Sequence, residues 1–166
     1  MNYTFRQATL LDAKVLLDIL LKAYEQDKKL GINFDATHAT LPMVEQHLKR
    51  NICYFLQIDG QPVATISLRM PWGPNPGPEK VPHIGWFATH PDYEKQGLGT
   101  RLLSWVENTI LKDQMKVPYV TLGTADTHPW LVSMYQRKGY EIFTEKDLGK
   151  GHITIYLKKF LLEEEK

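Results

Sequence analysis

Cysteine is almost absent: the 166-residue chain has one, Cys53. A lone cysteine excludes an internal disulfide and fits a reducing compartment, so a cytoplasmic protein is expected. An excess of one charge is missing as well. Twenty Lys and Arg face 19 Asp and Glu, a formal net charge of +1. Bulk electrostatics therefore favour neither nucleic acid nor an anionic membrane as partner. No apolar run is long enough for a membrane span. Met1 leads straight into strand-like Tyr3-Thr4-Phe5-Arg6, so no signal peptide is expected. No linker, repeat or low-complexity tract divides the chain, and its length suits a single domain over 1–166.

Two nucleotide signatures are also missing around the most informative stretch, Tyr93-Glu94-Lys95-Gln96-Gly97-Leu98-Gly99-Thr100-Arg101-Leu102-Leu103. No Lys-Ser or Lys-Thr follows its second glycine, so a P-loop is not supported. The third glycine slot of a dinucleotide fold holds Leu102. ATP and NAD lose ground, while an anionic ligand does not. Glycines here let a ligand approach the backbone. The helix that follows offers unpaired N–H groups and its positive dipole end, a site for phosphate or pyrophosphate. The competing reading is a tight strand-to-helix connection and nothing more.

What is present organises simply. Asn2 to Ala8 is a predicted strand, followed by the capping-box-like Thr9-Leu10-Leu11-Asp12. The first helix is predicted to bury Leu11, Val15, Ile19 and Ala23, with Gly31 ending that region. Leu41 to Arg50 is a second helix, opening with Pro42. Cys53 to Ile58 and Val63 to Arg69 form a hairpin over Asp59-Gly60. Pro71 to Pro82, rich in Pro and Gly, is an irregular loop. His83 to Thr89 is the central strand. Leu98, Leu102, Val106 and Ile110 recur on one helix face. Tyr119 to Thr124 is the next strand, and Pro129 starts a helix over Trp130 to Lys138 that Gly139 caps. Tyr140 to Phe143 and His152 to Leu157 are the last strands, and Glu163-Glu164-Glu165-Lys166 a solvated tail. The order β-α-α-β-β-β-α-β-α-β-β implies an α/β fold, a mixed sheet covered by helices on both faces.

Two segments carry a family resemblance. Glu94-Lys95-Gln96-Gly97-Leu98-Gly99 occupies the place of an Arg/Gln-x-x-Gly-x-Gly/Ala loop, with Pro91-Asp92-Tyr93 leading in. Met134-Tyr135-Gln136-Arg137-Lys138-Gly139-Tyr140 matches a later Leu-Tyr-x-x-x-Gly-Phe. Together, in order and at normal separation, they resemble the GNAT superfamily of acyl-CoA-dependent N-acyltransferases, over most of the chain. Glu94 departs from the usual Arg or Gln and is expected to face solvent or pair with Lys95 or Arg101. His128 lies near where many relatives carry Asn.

The resemblance implies a mostly antiparallel sheet of about six to seven strands with about four helices. Its central strands, here His83–Thr89 and Tyr119–Thr124, would splay to admit acetyl-CoA. It implies an N-acetyltransferase in which a primary amine attacks the thioester directly, through a tetrahedral intermediate, with no metal. Backbone groups of Phe87, Ala88 and Thr89 would pair with the pantetheine arm and polarise the thioester. Gln96, Gly97, Leu98, Gly99 and Thr100 would cradle the pyrophosphate through backbone N–H groups, with Lys95 and Arg101 adding charge. Both cations could equally sit on a solvated face. Tyr135 matches the family's proton donor to the departing thiolate, although a buried core aromatic is the plainer reading of the residue alone.

The base is open among Glu79, His83, Asp126 and His128. The unperturbed pKa of an imidazole brings His83 forward, and a water relay or no dedicated base also suits the family. The acceptor is a small-molecule or peptide amine. Tyr24, Glu25, Asp27, Trp72, Trp86 and Trp130 are candidates to surround it, by charge or cation–π contact, with Trp72 as a mobile lid. The tryptophans fit plain core or oligomer contacts as well, so a homodimer stays open. Two other activities remain: acyl-CoA binding without turnover, as a sensor or interaction domain, and transfer of a longer acyl group.

Overall fold

The computed structural model describes residues 2–25, 39–149 and 151–162. Asp27, Gly31 and the acidic tail lie outside the described residues. Seven strands form one sheet in the order β1-β2-β3-β4-β5-β7-β6. They are β1 (Tyr3–Gln7), β2 (Ile52–Ile58), β3 (Gln61–Arg69), β4 (His83–Thr89), β5 (Tyr119–Ala125), β6 (Glu141–Asp147) and β7 (Ile153–Phe160). Only β4 and β5 pair in parallel; every other neighbour is antiparallel. Among the described residues four α-helices accompany them: α1 (Ala13–Ala23), α2 (Leu41–Arg50), α3 (Leu98–Trp105) and α4 (Pro129–Arg137). This is the element order expected, with the strand ends shifted by a few residues. No helix among the described residues is long and apolar enough to cross a membrane.

Burial on both faces explains the apolar strands. Tyr54, Leu56 and Ile58 of β2 pack with α3, while the intervening Cys53 and Phe55 pack with α1 and α2. The β2–β3 hairpin turns on Asp59 and Gly60, with φ of 51° and 84°. Both central residues are left-handed, the geometry that matches the twist of the flanking strands. Leu98, Leu102, Val106 and Ile110 are all buried, as their spacing predicts. Beyond Trp105 the same helix widens into π geometry over Val106–Gln114, and the Met115 N–H donates to the Ile110 carbonyl at 2.8 Å.

The first helix differs from expectation. Leu11 is 96% exposed, and the buried face is Ala13, Leu16, Ile19 and Leu20. Leu10–Asp12 forms a 3-10 turn ahead of α1, which changes the angular phase. Asp12 sets that turn by taking the Arg6 guanidinium with both carboxylate oxygens, 2.8 Å each, and the Thr9 N–H at 2.7 Å. The pairing with Arg6 holds the Asp12 carboxyl below its ordinary range. Truncating Leu102 to Ala should cost about 2–5 kcal/mol in urea denaturation, and Leu11→Ala should stay within about 0.5 kcal/mol.

Candidate active site

β4 and β5 share two residue pairs, His83 with Thr121 and Ile84 with Leu122. From Gly85 onward β4 has no β5 partner, and the strands part. On its other edge β4 carries a bulge. Ser67 pairs with Gly85 and Thr65 with Ala88, so Trp86 and Phe87 together oppose Ile66. Trp86 has φ of 45°, a left-handed conformation that a bulky residue adopts only when its surroundings impose it. The His47 ring supplies that constraint, stacked on the indole at 3.7 Å and 4°. His47 is itself held by Ser67 Oγ at 2.8 Å and Asn51 Nδ2 at 3.2 Å.

Two cavities open along this split. The first, about 510 Å³, is lined by Phe87, Ala88 and Thr89 of β4, by Lys95, Gly97, Leu98, Gly99 and Thr100, and by Tyr135 and Lys138 of α4. Lys95 and Gly97 both have positive φ, 64° and 74°. Such left-handed turns gather successive N–H groups into an anion-binding concavity. The Arg101 N–H already donates to the Gly97 carbonyl, which leaves the amides of the first helical turn facing the cavity. Lys138 adds a cation at the rim and donates to Thr100 Oγ1 at 2.7 Å. A Cβ on Gly97 would meet nothing within 4 Å, so its conformation, not crowding, calls for glycine. The residues present thus fit a polyphosphate with an extended arm along β4.

The second cavity, about 240 Å³, lies on the β5–β7 side, lined by Arg69, His83, Trp86, Gly123, His152 and Tyr156 among others. Tyr24, Phe87, Leu131 and Tyr135 line both cavities and mark their junction. There the Tyr24 hydroxyl donates to the Phe87 carbonyl at 2.9 Å. Tyr135 is buried, and burial pushes its phenol up, so the proton stays on oxygen. Tyr140 packs edge-on against Tyr135 at 5.6 Å. It donates to buried Glu107 at 2.6 Å, and Glu107 also takes Lys159 Nζ at 2.9 Å. This satisfied charge pair anchors the wall behind Tyr135.

His83 lines the second cavity, with Nδ1 2.7 Å from Thr121 Oγ1. The Pro-rich loop lies directly on it, since a Cβ on Gly77 would fall 2.5 Å from His83 Cβ. Burial, and to a lesser degree the Arg69 charge, depress its pKa to about 3. These surroundings oppose the base role anticipated for His83, because an imidazole so disfavoured as a cation holds an extracted proton poorly. The other base candidates stand apart from both cavities. Asp126 accepts from the Ile153 N–H, Glu79 faces Lys158 at 3.8 Å, and buried His128 packs on Trp130.

Among the remaining expected residues, Arg101 turns away from the cofactor-sized cavity and lies over the Tyr3 ring at 4.6 Å. Gln96 is exposed and Glu94 sits exposed at the rim. Trp72 is 78% exposed and Trp130 57% exposed, and neither lines either of these two cavities. Sequence reasoning passed over Lys138 as a cavity residue, although it lies inside the quoted motif. It also passed over Arg69, whose place at a strand end before the Pro-rich loop was the available signal. Among the described residues no cluster of His, Cys, Asp or Glu could hold a metal ion.

Comparison with known proteins agrees with this geometry. The acetyltransferase (GNAT) family model matches residues 15–140. The chain is 56% identical to an S-(2-succino)cysteine N-acetyltransferase of Bacillus subtilis, over 97% of this chain and 98% of that one. It is 40% identical to an S-alkylcysteine N-acetyltransferase of the same organism, over 96% and 90%. An acetyltransferase structure from Thermus thermophilus superposes with a TM-score of 0.74 at 15% identity, covering 97% and 98% of the two chains. The PaiA N-acetyltransferase of Thermoplasma acidophilum, crystallised with coenzyme A, superposes with 0.72 at 12% identity, covering 96% and 99%.

Two of the buried imidazoles tie stability to pH. His47, desolvated and near Arg69, is depressed to about 4, and His83 to about 3, from an ordinary 6.5. The unfolded chain takes up these protons first, so stability should fall as pH drops below about 6.5, by up to about 1.4 kcal/mol per pH unit per group. Urea midpoints at pH 7 and pH 5 check this, and the drop should shrink in His47→Gln.

Proposed function

The chain belongs to the GNAT acetyltransferase family, and from that premise we propose that it acetylates the α-amino group of a cysteine carrying a substituent on sulfur. Acetyl-CoA supplies the activated acetyl thioester, which the amine attacks to give an amide and free CoA. The observation that carries the reading of the acceptor is the lining of the second cavity. Among the described residues it contains Arg69 and two histidines but no carboxylate. A polyamine would bring several positive charges to that lining without a counter-ion. An amino acid brings carboxylate, and the aromatic rings of Tyr24, Trp86, Phe87 and Tyr156 offer a thioether sulfur–aromatic contacts of about 0.3–1.5 kcal/mol each. The names of the two Bacillus subtilis relatives support the same acceptor class.

In this reading the amides from Gly97 to Thr100, with Lys95 and Lys138, hold the pyrophosphate. Arg101, committed to Tyr3, stays out of that set. Phe87, Ala88 and Thr89, without a strand partner on the β5 side, run beside the pantetheine arm, and a β4 amide polarises the thioester carbonyl, an effect of about 3 kcal/mol where one oxyanion donor has been removed elsewhere. Tyr135, protonated and placed between the cavities, donates to the departing thiolate. His83 serves as an uncharged hydrogen-bonding end wall. The amine loses its proton to water or arrives neutral.

The discriminating experiment is CoA release with an S-substituted cysteine, spermidine and a short peptide as acceptors. Turnover confined to the cysteine thioether is expected, and preference for spermidine would overturn the reading. Tyr135→Phe should lower kcat by about 100-fold or more while acetyl-CoA affinity, measured by calorimetry, changes only a few-fold. Gly97→Asp should weaken acetyl-CoA far more than Gly97→Asn. Asparagine tolerates the left-handed conformation, so the difference isolates the added charge.

A further inference from the structure

We infer that Arg69 is the specificity residue of the acceptor cavity and binds a carboxylate carried on the sulfur substituent, remote from the reacting amine. The inference rests on the reading of the acceptor as an S-substituted cysteine. Arg69 ends β3 and pairs across the sheet with His83, and both line the second cavity. Phe87, where the cavities meet beside Tyr135 of α4 and the amine must stand, lies four residues further along β4. At about 3.3 Å per residue that is roughly 10–13 Å of strand, allowing for the bulge. The α-carboxylate of an amino acid is attached to the same carbon as its amine, so it stays near the junction. Only a group at the far end of the sulfur substituent extends toward Arg69.

The chemistry around Arg69 agrees. Arg69 is the sole fixed cation among the described lining residues, and its planar fork suits a carboxylate. It is half-buried, so the pairing would be shielded from bulk water. The neighbouring His83 carries no charge near neutrality. A guanidinium in this lining favours an anionic substituent over a purely alkyl one.

The test compares S-(2-succino)cysteine with S-propylcysteine as acceptors for the wild type, Arg69→Gln and Arg69→Lys. Initial rates of CoA release give kcat/KM for each. The wild type should prefer the carboxylated acceptor. Arg69→Gln should reduce that preference by roughly 10- to 100-fold, mainly through a higher KM for the carboxylated acceptor. Arg69→Lys, which keeps the charge and loses the fork, should fall between. Acetyl-CoA affinity is the folding control, since Arg69 does not line the cofactor-sized cavity. An unchanged preference in Arg69→Gln, or a wild type that favours S-propylcysteine, would overturn the role of Arg69 while leaving cysteine thioethers as acceptors. Acetylation of some other amine with neither thioether used would overturn the acceptor reading itself.

Discussion

Parallel pairing of β4 with β5 stops after His83–Thr121 and Ile84–Leu122, and the rest of the site depends on that stop. A fully zipped pair would bury the β4 edge in sheet hydrogen bonds and leave no cleft. The early end leaves Gly85 to Thr89 with an unpaired edge, which an extended ligand can join like another strand. The bulge on the opposite edge turns the same segment out of register with β3. Its left-handed residue is Trp86, which stacks on His47, so the strain at the bulge is balanced by packing from α2. Helix placement, loop path and cavity shape all follow from keeping the wedge open without losing the sheet.

Electrostatics divide the wedge into two ends. At the α3 end lie the left-handed turns at Lys95 and Gly97 and the Lys138 side chain. At the β3 end, Arg69 stands beside imidazoles that burial and its own charge keep neutral. Between them lies Tyr135, whose burial keeps it a donor. The wedge thus carries cationic side chains at each end and a protonated phenol in the middle.

Much of this was legible in the sequence, for local reasons. The Asp59-Gly60 hairpin follows from turn chemistry, and the buried face of α3 follows from a spacing of four. The bounds of β4 and α2 coincide with the predicted ones, and the two glycine-bearing motifs pointed to the wedge and to Tyr135. What escaped depends on tertiary neighbours. The phase of α1 was misjudged because Asp12 is drawn to Arg6 and forms a 3-10 turn that no apolar period reports. Arg101 could not be told from Lys95 by position, yet one covers Tyr3 and the other lines the cavity. The burial of His83 has no sequence signal, since Gly77 packs on it from six residues earlier in a loop without periodicity. A tryptophan in left-handed conformation has no sequence signal, since the residue type argues against it.

The most direct measurement is a crystal structure with CoA and the N-acetylated cysteine thioether bound together. The pantetheine arm is expected along β4 from Phe87 to Thr89, with the pyrophosphate on the Gly97–Thr100 amides. The product amide is expected at the junction beside Phe87 and Tyr135, and its sulfur substituent in the cavity that ends at Arg69 and His83. Either ligand bound outside the β4–β5 wedge, or the two bound without meeting at Tyr135, would contradict the assignment of that wedge as the reaction chamber.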